Sequence, residues 1–165
     1  MGRDRQREGG GRVIIKGSVL YGADEEVARW VGDQIPGYVP WEGATALGVL
    51  KGGRLVAGVV YERCTSFNVE ASIAAVPHAA WADRSTLFKL FDYPFRQLGV
   101  EAITVTVPGS NLASLNLALK LGFEAQAYVP FAAPDGSPLI VLQQYRNTCR
   151  WVNRDGQRQQ STGGA

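Results

Sequence analysis

The sequence predicts an α/β (α+β) domain, a mixed and mostly antiparallel central sheet with helices on both faces. Three observations carry that reading. The 165 residues fall in the size range of one domain, and 45% hydrophobic with 19% charged residues suits a globular chain that buries a core. Apolar residues alternate between a period of two and a helical period in the order β-α, β-β-β, α, β, α, β-β, without an internal repeat. The segment Ala102 to Phe123 by itself holds a strand, a Pro108-Gly109 break, a helix and the start of another strand.

Taken in order, residues 1–11 and 153–165 are polar, rich in Gly or Gln and aperiodic, so they read as disordered tails around a single domain over 12–152. Arg12 to Val19 reads as a first strand. Ala23 to about Gln34 reads as a helix, with Asp24, Glu25 and Glu26 placing negative charge at its start and Val27, Trp30 and Val31 at helical spacing. The loop Ile35 to Gly43 is broken by Pro36 and Pro40 and carries Tyr38 and Trp41. It is either part of a substrate site or a lid packed on the core.

Thr45 to Leu50 and Leu55 to Glu62 flank Gly52-Gly53, the signal of a two-residue hairpin. Asn68 to Val76 is the next strand. Val69, Ala71, Ile73 and Ala75 share one face, and Glu70, Ser72, Ala74 and Val76 share the other, with small residues where a ligand could approach the backbone. Arg84 to Leu98 reads as a helix with Leu87, Phe88, Leu90, Phe91 and Phe95 inward. Pro94 should kink it or end its regular part early, and Gly99 closes it. Ile103, Val105 and Val107 then alternate with Thr104 and Thr106. Ser110 or Asn111 caps a helix bearing Leu112, Leu115 and Leu119, which Gly122 terminates. Phe123 to Val129 and Leu139 to Tyr145 pair across Pro134-Asp135-Gly136.

Several function classes drop out on composition. A net charge of +2 does not imply nucleic acid, although it allows a local basic patch. No apolar run approaches the roughly 20 residues that span a bilayer, so no membrane partner is expected. The start lacks the apolar core of a signal peptide, and Cys64 and Cys149 fit reduced thiols, so the expectation is a cytoplasmic protein. One histidine, His78, and two distant cysteines offer no metal site, and no Ser-His-Asp arrangement is indicated.

The order Asn111-x-x-Ser114-x-x-Leu117-x-x-Lys120-Leu121-Gly122-Phe123 resembles the C-terminal signature of the GNAT acetyltransferase superfamily, and the resemblance covers about Val13 to Tyr145. It implies a GNAT-like sheet, acetyl-CoA as co-substrate, and acyl-CoA-dependent N-acyltransfer to an amine by direct attack. The acceptor would be a small-molecule or protein amine, and a homodimer is compatible. The runs Phe91-Asp92-Tyr93-Pro94-Phe95, Gln97-Leu98-Gly99-Val100 and Cys149-Arg150-Trp151 are similar to acetyltransferase-like proteins of phages and prophages, which would place the protein in a bacterial host cell.

The resemblance also implies roles. Asn111, with Ser114 in the same signature, would meet the pantetheine arm, whose amides match a side chain offering one donor and one acceptor group; Asn111 as a helix cap alone is the alternative. Backbone groups from Ser72 through Ala74 and Ala75 to Val76 would hold the arm and polarise the thioester carbonyl. Glu70 would be the general base, or else an exposed strand carboxylate. Members often place a tyrosine acid four residues before Gly-Phe, where this chain has Ala118, which leaves Tyr128 and Tyr145 as candidates. The Gly-rich turn that holds the CoA pyrophosphate is missing, with Ala82 and Arg84 at the glycine positions. Asp83 could cap the helix there and leave the N–H groups of Arg84, Ser85 and Thr86 for phosphate, aided by the Arg84 guanidinium and both hydroxyls. Two rival readings remain. One is a non-catalytic CoA-binding module. The other is a phage nucleic-acid-modifying protein that uses Arg146, Arg150, Arg154 and Arg158.

Overall fold

The structure, a computed structural model, describes residues 12–153. The tail readings, and Arg154 and Arg158 with them, lie outside the described residues except for Asn153. Eight strands form one sheet in the order β1-β2-β3-β4-β5-β6-β8-β7. In chain order these are β1 (Ile14–Lys16), β2 (Val19–Tyr21), β3 (Thr45–Lys51), β4 (Arg54–Glu62), β5 (Asn68–Ala75), β6 (Ala102–Pro108), β7 (Glu124–Val129) and β8 (Leu139–Tyr145). The helices are α1 (Asp24–Gln34), α2 (Arg84–Asp92) and α3 (Leu112–Leu121). No helix among the described residues is long and apolar enough to cross a membrane.

The single first strand expected over Arg12 to Val19 is instead a hairpin. Gly17 adopts φ +61° and reverses the chain, so that Lys16 pairs with Val19 and Ile15 with Leu20. Glycine takes that left-handed conformation without a Cβ penalty, which is why the alternation on either side belongs to two strands. Gly52-Gly53 makes the expected β3–β4 hairpin, both residues having positive φ.

The helices divide between the two faces. Val27, Ala28 and Val31 of α1 pack with Leu20, Ala46, Val60 and Ala74 on one side. Gly48 and Gly58 are cross-strand partners beneath α1, and a Cβ at Gly58 would stand 2.7 Å from Val31. The bare backbone there sets how closely α1 approaches the sheet. On the other side Leu87, Leu90, Phe91 and Phe95 join Leu121 and Phe123 over Val59, Tyr61, Ile103 and Val105.

Pro94 ends the α-helical part of its helix at Asp92, and a turn of π-helix follows over Tyr93–Gln97. Proline has no N–H to give to the carbonyl four residues earlier, here Leu90, and its ring pushes against it. The buried Tyr61 hydroxyl takes that carbonyl at 2.6 Å, so the interruption leaves no orphaned acceptor.

All neighbouring strands are antiparallel except β5 and β6. These two pair only from Asn68–Ala102 to Glu70–Thr104. Beyond that level β5 stays with β4 as far as Ala75, and β6 stays with β8 as far as Pro108. The sheet therefore splays open between the carboxyl ends of β5 and β6.

Candidate active site

The open edge of β5 presents one set of backbone groups to this splay. Val76 N–H is bonded to the Val56 carbonyl at 2.7 Å, so the residues in phase with it, Ala74 and Ser72, also address β4. By alternation the amides of Ile73 and Ala75 face the gap, while that of Ala71 serves the last rung with β6. Of the span Ser72 to Val76 expected to hold a pantetheine arm, Ile73 and Ala75 are in that phase; Ser72, Ala74 and Val76 are turned the other way.

Where the splay closes, polar side chains line up across the sheet on the α1 face. Registered neighbours in one row are Glu62, Glu70, Thr104, Gln143 and Glu124. Tyr145 donates to Gln143 Oε1 at 3.2 Å, Gln143 Nε2 donates to Thr104 Oγ1 at 3.0 Å, and Thr104 donates to Asn68 Oδ1 at 2.6 Å. This chain of bonds fixes the floor beside Glu70.

Glu62 is the residue that sequence reading missed. It is 6% exposed, its Oε1 accepts from the Tyr38 hydroxyl, and its Oε2 has no partner among the described residues. A buried carboxylate oxygen without a donor is costly in a folded chain and marks a place where a ligand's donor can be received. Burial, and then the bond to Glu62, push the Tyr38 hydroxyl far above its ordinary range, so it stays a donor to the carboxylate. Its only signal in the sequence was a charged residue ending the apolar strand Leu55 to Glu62.

The loop over 35–43 is thereby drawn onto the site. Its Trp41 ring lies 5.0 Å from the Arg63 guanidinium, and Arg63 pairs with Glu70. Arg63 itself holds φ +46°, an uncommon backbone state for a side-chain-bearing residue. Glu70, the base expected from sequence, is thus half-buried and already engaged by a cation. Tyr145 shares its face of the sheet. Tyr128 does not: its partners run through Ile140 to Val107 on the opposite face, and it is 65% exposed on the edge strand β7. Ala118 lies on the inward side of α3, buried in the core.

A helix follows each of the two strands that form the splay, α2 after β5 and α3 after β6. At α3, Asn111 Oδ1 accepts Ser114 N–H at 3.1 Å, which establishes the cap and leaves the amide NH2 of Asn111 free to donate. Half-buried Ser114 takes part through its backbone. Next to it Ser110 donates to Asp135 at 2.5 Å, and this bond, followed by those from Ser137, holds the Asp135 carboxyl down at about 2. At α2, Asp83 caps as expected, but it consumes Thr86 N–H. Thr86 is 1% exposed and its hydroxyl is bonded inward, so it is not available to a phosphate. Arg84 and Ser85 are exposed. Of the C-terminal arginines, Arg146 pairs with Glu101 and Arg150 donates to the Lys120 carbonyl.

Against solved structures the architecture is recognisable. The ribosomal-protein-S5-alanine acetyltransferase of Vibrio fischeri superposes with a TM-score of 0.61 at 10% identity, covering 85% of this chain and 100% of that one. A GNAT-family acetyltransferase of Bacillus anthracis gives 0.59 at 15% identity, over 82% and 99% of the two chains. The protein yncA of Salmonella typhimurium, solved with its cofactor acetyl-CoA, gives 0.52 at 23% identity over 64% of this chain and 66% of its own. The fold is that of the GNAT acetyltransferases. No family model matches the chain, and no curated protein matches it. At these identities the likeness is one of fold.

Proposed function

We propose that the protein is an acyl-CoA-dependent N-acyltransferase, with acetyl-CoA as donor and a small-molecule amine as acceptor. The observation that carries this reading is Glu62, a buried carboxylate with one unpartnered oxygen at the closed end of the β5–β6 splay. An acceptor ammonium placed there satisfies the orphaned oxygen and transfers its proton to the carboxylate. The freed nitrogen lone pair attacks the thioester carbonyl carbon. The C–S bond then breaks, the nitrogen gives up its second proton to water at the open rim, and that water passes a proton to the leaving thiolate, so the products are the neutral amide and free thiol. The Tyr38 hydroxyl holds Glu62 in place throughout, and the free amides along β5 orient the thioester arm. Glu70 is the second candidate for the base, with Arg63 as the partner it would have to release.

The test is release of free thiol from acetyl-CoA over a panel of amines. Glu62→Gln should lower kcat by about 10²–10⁴ while leaving donor affinity within about twofold. Full turnover in Glu62→Gln together with its loss in Glu70→Gln would move the base to Glu70. A non-catalytic module that keeps the fold remains the second reading, favoured by the buried Ala118 where an acid is expected. It predicts donor binding in calorimetry without thiol release on any amine.

A further inference from the structure

The start of α2 follows a strand and a loop at the open end of β5, the kind of junction where a helix's unpaired N–H groups ordinarily receive phosphate. Here that place is filled from within. Asp83 accepts Thr86 N–H at 3.0 Å and the Thr86 hydroxyl at 2.8 Å, and its own carbonyl takes Leu87 N–H at 2.9 Å. The backbone bond from Thr86, then the hydroxyl, hold the Asp83 carboxyl below its ordinary range, so it carries a full negative charge at neutral pH. The cap is tied in from a second element: Thr86 is 1% exposed and also meets the Ser18 hydroxyl at 2.5 Å. Swinging Asp83 out would strip a partner from a buried hydroxyl.

Among the described residues no cation forms an ion pair with Asp83, and exposed Arg84, next in the chain, is the charge that opposes it most directly. Lys89, one turn on, gives its ammonium to Ser85 Oγ at 2.6 Å. The loop before the helix has no glycine that would let its backbone wrap an anion. Its Trp81 is 6% exposed, anchored in the core under the sheet. A pyrophosphate brought to this helix start meets a fixed carboxylate and fewer free N–H groups than an uncapped helix offers. The β5 edge is different, since its amides are neutral and match an arm built from amides.

We propose that Asp83 is a donor-specificity residue: it turns the site toward acyl thioesters of pantetheine that lack the nucleotide, recognised through their amide arm alone. This rests on the acyltransfer reading above. The same chemistry is found in a free pantetheine thioester and in an acylated phosphopantetheine arm on a carrier protein.

The experiment compares kcat/KM for acetyl-CoA, S-acetylpantetheine and an acetylated carrier protein by thiol release on the amine panel. For wild type, acetyl-CoA and S-acetylpantetheine should agree within about threefold. Asp83→Asn keeps a cap acceptor and removes the charge. It should raise kcat/KM for acetyl-CoA by about three- to tenfold, less as salt is added, and leave S-acetylpantetheine unchanged. Asp83→Ser, a neutral cap of a different shape, should give the same pattern, so a folding defect peculiar to one variant does not decide the matter. A carrier-bound arm used faster than free S-acetylpantetheine assigns the donor to a protein, and the reverse order assigns it to a small molecule. Wild-type preference for acetyl-CoA by a hundredfold or more, or no gain in either Asp83 variant, overturns the inference and leaves acyltransfer standing. No thiol release from any donor overturns acyltransfer itself.

Discussion

The helices α2 and α3 begin in the same way and leave different chemistry at their starts. Each is capped by an Asx side chain that accepts the N–H three residues on, Thr86 for Asp83 and Ser114 for Asn111. One cap is an ionised carboxylate bound to a buried hydroxyl; the other is a neutral amide that keeps two donors free on an exposed side chain. Both satisfy the same backbone need. Only the second leaves something to offer an amide-bearing ligand. A helix start that follows a sheet strand is therefore not automatically a phosphate site, because the residue that caps it decides the local charge.

The largest expected consequence is in stability. Asp83→Ala should destabilise the fold by about 2 kcal/mol or slightly more, because it removes a cap and also a partner of the buried Thr86 hydroxyl. Asn111→Ala should cost about 0.5–1 kcal/mol, the loss of an exposed cap. Urea denaturation of both variants measures the gap. Equal losses would mean that the tie from Asp83 through Thr86 to Ser18 contributes nothing beyond capping.

Much of this pairing was legible in the sequence. Ser110 or Asn111, and Asp83, read as caps, Gly122 as the left-handed terminator and Pro94 as a kink or the end of a regular helix, because each acts through its own backbone and near neighbours. The parts that were not legible depend on contacts between distant segments. Gly17 was read as part of one strand, since a turn declares itself only when the two flanking runs pair. Glu62 looked like the polar end of a strand until Tyr38, 24 residues earlier in the chain, closed over it. The Thr86 hydroxyl, a phosphate contact on the sequence alone, is buried and meets Ser18, which lies 68 residues away. The phase of the β5 amides likewise follows from the β4 register and is invisible in the alternation of side chains.

Next in size is an effect on binding. The Asn111 side chain should contribute one hydrogen bond to the donor arm, worth about 0.5–1.5 kcal/mol. Asn111→Ala should therefore weaken acetyl-CoA and S-acetylpantetheine alike, by about two- to tenfold in calorimetric Kd. Loss for acetyl-CoA only would show that α3 senses the nucleotide. Unchanged affinity in a destabilised variant would reduce Asn111 to a cap, and the two helix starts would then be functionally alike.

A smaller difference should appear with pH. The folded Asp83 carboxyl titrates below its ordinary value of 3.8, so its stabilising contribution is fully present above that value and fades as the pH falls through the folded one. Thermal unfolding should show wild type ahead of Asp83→Asn at neutral pH, with the lead shrinking in acid. Asn111→Ala should trail wild type by a constant margin over the same range, because an amide does not titrate. A constant margin for both would mean that the Asp83 cap works through shape alone.

The smallest expected effect decides most about the comparison. Arg84 is exposed at the first turn of α2 and carries the nearest positive charge along the chain from Asp83. If the start of α2 reads phosphate despite its cap, this guanidinium is the group that makes it possible. A charge-assisted contact of that kind is worth about 1.5–3 kcal/mol, or roughly ten- to a hundredfold in affinity. With Asp83 ionised beside it, the two charges largely cancel toward an incoming anion. Arg84→Ala should then change the acetyl-CoA Kd by less than about threefold and that of S-acetylpantetheine not at all. A tenfold loss confined to acetyl-CoA, shrinking as salt rises, would show that Arg84 does the work of the absent glycines. The α2 start would then be a phosphate site built from a side chain, and the contrast with α3 would lie in which part of one donor each helix holds.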